Sequence, residues 1–292
     1  MSTSTRAFAE KYGPWALIAG GSEGIGKSFA LQLAAQGLHL ILVARTAAAL
    51  QDTAEEIRGR YPVQVVTAAL NLTSVDLEQK LDTVIAGKEV GLLVYNAGAT
   101  HGAGLLLDQP LDRALNLVRL NCVGPLTLVH KLGQGMKQRG RGGVILMGSM
   151  AGFAGMGYAA AYAATKSFDM VLAEGLWFEL GLVGVDVLGL VAGATETPAM
   201  QRSGMKFGQA GADIKATGPA DTGAPTPNLV PMEPDDVARE ALEHLGKGPV
   251  WIAGAKNREA AAGLRNAPRE QVIQAMSAAT AQLYGLTPSP AR

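Results

Sequence analysis

The chain is short of several things, and each shortage removes a class of explanation. One cysteine, Cys122, stands among 292 residues, so no internal disulfide can form and a reducing compartment, the cytoplasm, is expected. Lys and Arg number 25 and Asp and Glu 25, a formal net charge of zero, which gives no electrostatic draw toward nucleic acid or an anionic membrane. Charged residues make up 17% of the chain, below the usual share of about 25%. So little charge leaves extra surface to cover, and a homodimer or homotetramer is expected. The four histidines show no ligand spacing, so no metal is implied. Met1 to Lys11 lacks the apolar core of a signal peptide. The uncharged run Gly142 to Thr165 imitates a membrane span. Its six glycines and the polar pair Ser149 and Tyr162 read instead as strand, turn and helix, with no membrane partner.

What the chain has in excess is glycine, 37 residues, suited to tight turns and close backbone approach. Trp15 to Ala19 reads as a short apolar strand, followed at once by Gly20, Gly21, Ser22, Glu23, Gly24, Ile25 and Gly26, then a helix from about Lys27 to Gln36. Strand, glycine turn and helix start are what a pyrophosphate needs: small residues let the backbone approach, and free N–H groups at the helix start receive the charge. A second strand, Leu38 to Ala44, ends at Arg45 where NAD-binding sheets carry an acid for the ribose hydroxyls. A guanidinium there suits a 2′-phosphate. Strands follow at Val63 to Ala69, Val90 to Tyr95, Val144 to Ser149, Val183 to Val191 and Gly248 to Ala253, alternating with helical stretches. This α/β alternation runs unbroken, so no second domain is needed. Leu111 to Met136 reads as one long helix with Asn121 inside it, where asparagine is unfavourable by propensity.

The chemistry is written between Ser149 and Lys166. Ser149 ends an apolar strand, glycines 152, 155 and 157 make a turn, and an alanine-rich helix carries Tyr162 and Lys166. An i,i+4 pair shares one helix face, which puts a phenol and an ammonium in one pocket. A cation beside a tyrosine favours its ionised form, and a hydroxyl at the strand end can hold a carbonyl oxygen. The serine stands 13 residues before the tyrosine, and this order and spacing resemble the short-chain dehydrogenase/reductase family.

The resemblance covers about Trp15 to Ala253 and implies a Rossmann-type, doubly wound, seven-stranded parallel sheet with helices on both faces. Residues 1–292 then form a single domain, with a substrate lid at about 198–232 and a helical tail at 254–292. It implies hydride transfer between NADP(H) and a carbonyl or secondary alcohol. Tyr162 becomes the general acid, Lys166 holds the nicotinamide ribose and eases Tyr162 ionisation, Ser149 binds the substrate oxygen, and Asn121 anchors a relay water. The glycine turn matches the family's Gly-x-x-x-Gly-x-Gly. Asn71 and Leu72 stand at the adenine position, with Asn71 where the family has Asp. Asn96, Ala97 and Gly98 match the second half of Asn-Asn-Ala-Gly, with Tyr95 replacing the first asparagine. Gly193, Thr195 and Thr197 fall in the nicotinamide segment, where Ala192 replaces a proline. NADP-preferring members often carry a cation before the second glycine, and Glu23 stands there instead.

Phe8 to Trp15 resembles members related to long-chain ketoacyl and hydroxysteroid reductases. The lid's large side chains, Met200, Met205, Phe207, Ile214, Leu229 and Val230, are apolar. Its charges, Arg202, Lys206, Asp213, Lys215 and Asp221, are scattered and mixed, so an apolar ketone fits better than a sugar or small acid. His101, in a glycine-rich loop, is either a substrate contact or an exposed loop residue. An NAD-preferring alcohol dehydrogenase is the alternative within enzymes. A nucleotide sensor without turnover, or a methyltransferase, would have no use for Ser149, Tyr162 and Lys166.

Overall fold

The computed structural model describes residues 3–99, 102–205 and 231–286. His101 and the lid residues 206–230 lie outside them. Strands β1 (Trp15–Ala19), β2 (His39–Ala44), β3 (Val65–Ala69), β4 (Val90–Tyr95), β5 (Gly142–Ser149), β6 (Val185–Ala192) and β7 (Val250–Ile252) form one sheet in the order β3-β2-β1-β4-β5-β6-β7. Every neighbouring pair is parallel. The helices are α1 (Thr3–Tyr12), α2 (Gly24–Ala35), α3 (Ala47–Arg60), α4 (Leu77–Ile85), α5 (Leu111–Val118), α6 (Gly124–Arg139), α7 (Ala160–Gly181), α8 (Pro198–Arg202), α9 (Pro234–His244), α10 (Ala255–Asn266) and α11 (Arg269–Tyr284).

Both faces of the sheet are covered, which is why its strands read as continuous apolar runs. Successive residues of β1 point to opposite faces. Ala16 and Ile18 pack with Phe29 and Leu33 of α2 and with Val237 and Ala241 of α9. Leu17 and Ala19 pack with Leu128, Leu132 and Met136 of α6. Phe29 and Leu33 are fully buried, and cutting either to alanine costs about 2–5 kcal/mol. The strand order reverses between β1 and β4, so the crevice for a ligand opens at their carboxyl ends.

Three elements differ from the sequence expectation. The single helix expected over Leu111–Met136 is α5, a π-helical turn at Arg119–Val123, and α6. Pro125 supplies the reason: it has no N–H, and the Gly124 amide bonds instead to the Arg119 carbonyl, five residues back. α1 and the short α8 come as additions, since neither was expected as a helix, while α10 and α11 fall within the helical tail expected at 254–292. The uncharged run Gly142–Thr165, by contrast, is the strand, turn and helix expected: β5, a 3₁₀ turn at Met150–Phe153 and the start of α7. No helix among the described residues is long and apolar enough to cross a membrane.

Candidate active site

The turn after β1 is shaped by close approach. A Cβ on Gly26 would lie 1.9 Å from the Gly20 carbonyl oxygen, so only glycine lets the first turn of α2 fold under the loop. Gly24 has φ +53 and lies against Thr197, where a Cβ would come within 2.9 Å of the threonine methyl. The Asn96 side chain donates to the Gly20 carbonyl at 3.1 Å, tying the end of β4 to the turn. Thr53, buried in α3, holds the Ser22 carbonyl at 3.0 Å. No side chain caps α2, and the first N–H groups of a helix have no partner within it, so the amides at Gly24, Ile25 and Gly26 are unclaimed by the helix. Backbone this close, with amides at a helix start, fits a nucleotide pyrophosphate.

Glu23 does not cap the helix. Its carboxylate takes a two-pronged ion pair from Arg202 of α8, which offsets its charge and brings the segment after β6 to the glycine turn. Arg45 is exposed just past β2 and makes no hydrogen bond or ion pair with any described residue. Asn71 is exposed, and its Oδ1 accepts from the Thr73 amide at 3.1 Å and the Thr73 hydroxyl at 2.9 Å, so that oxygen holds its own turn. Leu72 is buried.

Beyond the turn, β4, the π turn and α7 meet. A Cβ on Gly98 would stand 3.4 Å from Lys166 Nζ and 3.6 Å from Asn121 Oδ1. Asn121 is wholly buried and donates to Thr165 Oγ1 at 2.9 Å, while its amide group also exchanges long hydrogen bonds of 3.4 Å with the Ala99 backbone. Lys166 is 6% exposed, and its ammonium donates to the Met147 carbonyl at 2.6 Å and to Asp169 Oδ2 at 2.9 Å. Ser149 closes β5, and its Oγ accepts from the Ala151 amide at 3.2 Å, which leaves its own proton free to donate. Tyr162, in the first turn of α7, is partly exposed and lines a cavity with Gly104, Arg113 and Tyr158. Gly193 and Thr195 sit just past β6, Thr195 buried with its hydroxyl on the Gly193 carbonyl at 3.2 Å. Thr197 caps α8 through the Met200 amide at 3.1 Å.

Five residues near these groups escaped the sequence reading. Asp169 pairs with Lys166, and an acid three residues on from Lys166 on one helix face was its visible signal. Tyr158 holds φ +63, rare for an aromatic residue, with its carbonyl bound by the Gly104 amide at 2.8 Å. Asn257 of α10 packs on Gly193, where a Cβ would meet it at 2.5 Å. Ser277 of α11 accepts from the Gly157 amide at 2.7 Å, and Arg269 donates to the Phe153 carbonyl at 2.6 Å. An apolar cluster of Ala154, Leu264, Val272 and Met276, joined by Met150, Phe153 and Met156, holds α10 and α11 over the loop that follows Ser149. No spacing rule in the sequence announced Tyr158, Asn257 or Ser277.

The family model described as short chain dehydrogenase matches residues 14–206. A 7beta-hydroxysteroid dehydrogenase of Clostridium sardiniense is 31% identical over 252 residues, 86% of this chain and 90% of that protein. A very-long-chain 3-oxoacyl-CoA reductase of Aspergillus clavatus is 36% identical over 200 residues, 68% of this chain and 57% of the reductase, so the match spans little more than half of that relative. A solved 7beta-hydroxysteroid dehydrogenase structure superposes with a TM-score of 0.81 at 28% identity, covering 92% of this chain and 98% of its own. A short-chain dehydrogenase from Sphingobium yanoikuyae in complex with NADPH gives 0.71 at 26% identity, covering 86% and 93%. With the glycine turn at the switch point and a serine, tyrosine and lysine at the expected strand end and helix, these matches show that the chain belongs to the short-chain dehydrogenase family, nicotinamide-dependent oxidoreductases of alcohols and carbonyl compounds.

Proposed function

We propose that the protein is an NADP(H)-dependent oxidoreductase acting on a medium to large apolar ketone or the matching secondary alcohol, with Ser149, Tyr162, Lys166 and Asn121 as its catalytic group. The observation that carries the reading is the buried Lys166 ammonium beside Gly98 and Asn121, at the carboxyl end of the sheet. A fixed cation at the topological switch point suits a ribose hydroxyl and a tyrosine that exchanges a proton. Gly20, Ser22, Gly24, Ile25 and Gly26 would hold the pyrophosphate, Asn71 and Leu72 the adenine, Asn96, Ala97 and Gly98 the ribose side. Gly193, Thr195 and Thr197 would line the nicotinamide. The bound nicotinamide supplies or takes up the hydride. In reduction, the free proton of Ser149 donates to the substrate oxygen and Tyr162 gives its proton to that oxygen as the carbon is reduced. Lys166 stabilises the charge left on Tyr162. Asn121 anchors the water through which the proton is replaced.

The preference for NADP rests on Arg45, a guanidinium at the end of β2 with no protein partner among the described residues. Glu23, which would favour NAD, has its charge offset by Arg202. An apolar substrate is supported by Met150, Phe153 and Met156 behind Ser149 and by relatives named for hydroxysteroids and very-long-chain 3-oxoacyl-CoA. The packing of α10 and α11 on the Ser149 loop supports reading the chain as one domain. Exposed Leu111 and Leu126, with Val171 and Phe178 on α7 and Leu182 just past its end, support a homo-oligomer, which light scattering in solution would report.

Consumption of NADPH and of NADH, followed across a panel of ketones, sugars and short hydroxy acids, tests the proposal. Large apolar ketones with NADPH are expected to give the highest kcat/KM. Best turnover on sugars or short acids, or a preference for NADH, overturns it.

A further inference from the structure

Lys166 carries a partner that the reaction does not require. Asp169 lies one helical turn on in α7, is 3% exposed, and accepts the Lys166 ammonium on Oδ2 at 2.9 Å. Its other oxygen, Oδ1, is buried with no hydrogen-bond partner among the described residues. A carboxylate so placed is costly to bury, and the lysine is what it has in return. The groups facing it from neighbouring elements are Tyr95 of β4 and Cys122 of the π turn. Both are pushed toward their neutral forms, first by burial and then by the charge of Asp169, with Cys122 raised to about 11. Burial also pushes the Asp169 carboxyl up, and Lys166 pulls it back. Among the described residues the local ion balance therefore reduces to Lys166 and Asp169.

Two of the three ammonium protons of Lys166 have fixed acceptors, the Met147 carbonyl and Asp169. A lysine on a four-carbon stem is otherwise a mobile point charge. We infer that Asp169 is a positioning residue: its carboxylate fixes the Lys166 ammonium against Met147 and moderates the positive field that Lys166 exerts on Tyr162, so that it sets the working pH of the enzyme. The inference rests on the reading above, in which Tyr162 and Lys166 carry the proton transfer.

The test is the pH profile of kcat/KM for alcohol oxidation. Asp169→Asn keeps the shape and both hydrogen-bond acceptors of Lys166 while removing one negative charge. The deprotonated phenol then feels a stronger cation, so the rising limb of the profile is expected to move to lower pH. A displacement of the limb toward lower pH, beyond the error of the two profiles, is the expected result. Asp169→Glu keeps the charge but moves the ammonium, so kcat should fall, by up to about 10²-fold for an ångström of misplacement, while the limb stays in place. A folded Asp169→Asn enzyme whose profile overlays the wild type overturns the inference. If Asp169→Asn does not fold, an Asp169→Glu enzyme with wild-type kcat overturns it equally. Tyr162→Phe and Lys166→Ala are run alongside. Turnover surviving in those two strikes the functional reading, whereas its loss together with an unmoved Asp169→Asn profile strikes only the role of Asp169.

Discussion

The Tyr95 hydroxyl donates a 2.6 Å hydrogen bond to the Leu120 carbonyl, next to the empty side-chain position of Gly124. That carbonyl has lost its backbone donors: the Gly124 amide is taken by Arg119, and Pro125 has none. Tyr95 therefore satisfies the turn that carries Asn121, and Gly124 gives it room. A Cβ on Gly124 would stand 2.1 Å from the phenolic oxygen. Gly124→Ala is expected to cost about 1–3 kcal/mol, the usual range for overpacking. Tyr95→Phe, which removes the obstructing oxygen, should make the alanine less costly in the double variant. Thermal or urea unfolding of the four proteins reads the cycle, and strictly additive losses would separate the two residues.

Tyr162→Phe removes only the phenolic oxygen. Turnover is expected to fall by about 10²–10⁴-fold, the worth of general acid catalysis. NADPH binding, followed by cofactor fluorescence, should hardly change. Ordinary turnover in this variant removes Tyr162 from the mechanism.

Arg45→Ala should weaken NADPH and spare NADH. A charge-assisted hydrogen bond is worth about 1.5–3 kcal/mol, roughly ten- to a hundredfold in affinity. Titration of both cofactors into both proteins reads the difference, and equal weakening would make Arg45 structural.

Alkali should unfold the protein through its buried tyrosines. Tyr12 and Tyr95 are both held well above the ordinary tyrosine value, chiefly by burial and then by Asp186 and Asp169 respectively. A group whose folded value is raised contributes stability that is full below its unfolded value, near 10, and is lost as pH rises above that. Melting temperatures should thus decline from about pH 10 upward. The decline should be shallower when Tyr12 and Tyr95 are both phenylalanine, and an equally steep one removes the tyrosines as its cause.

Much of this was legible in the chain because the repeating signals are local. Apolar runs placed all seven strands to within about two residues, the ordinary uncertainty of element boundaries. The glycine turn and the Ser149, Tyr162 and Lys166 spacing depend on one strand end and one helix face. The π turn was missed although Pro125 stood in the text, since a proline within a strong helical pattern was overridden by the apolar period. Asp169 was visible one turn from Lys166, but nothing in the sequence says which polar residue of an alanine-rich helix is buried. Asn257 and Ser277 reach the site from far along the chain, and no short-range pattern carries such contacts.

The hold of Ser277 on Gly157 has a consequence in time. The two residues lie 120 positions apart. A ribosome adds about 5–20 residues per second, so roughly 6–24 s separate their synthesis. Through that interval the residues of β1 to β5, the glycine turn and Ser149 have been made, while the loop behind Ser149 still waits for the helix that fastens it. The substrate wall therefore depends on one of the last-made helices, and a chain cut before α11 would keep Ser149 and the glycine turn in its sequence but lose the partner that fastens Gly157.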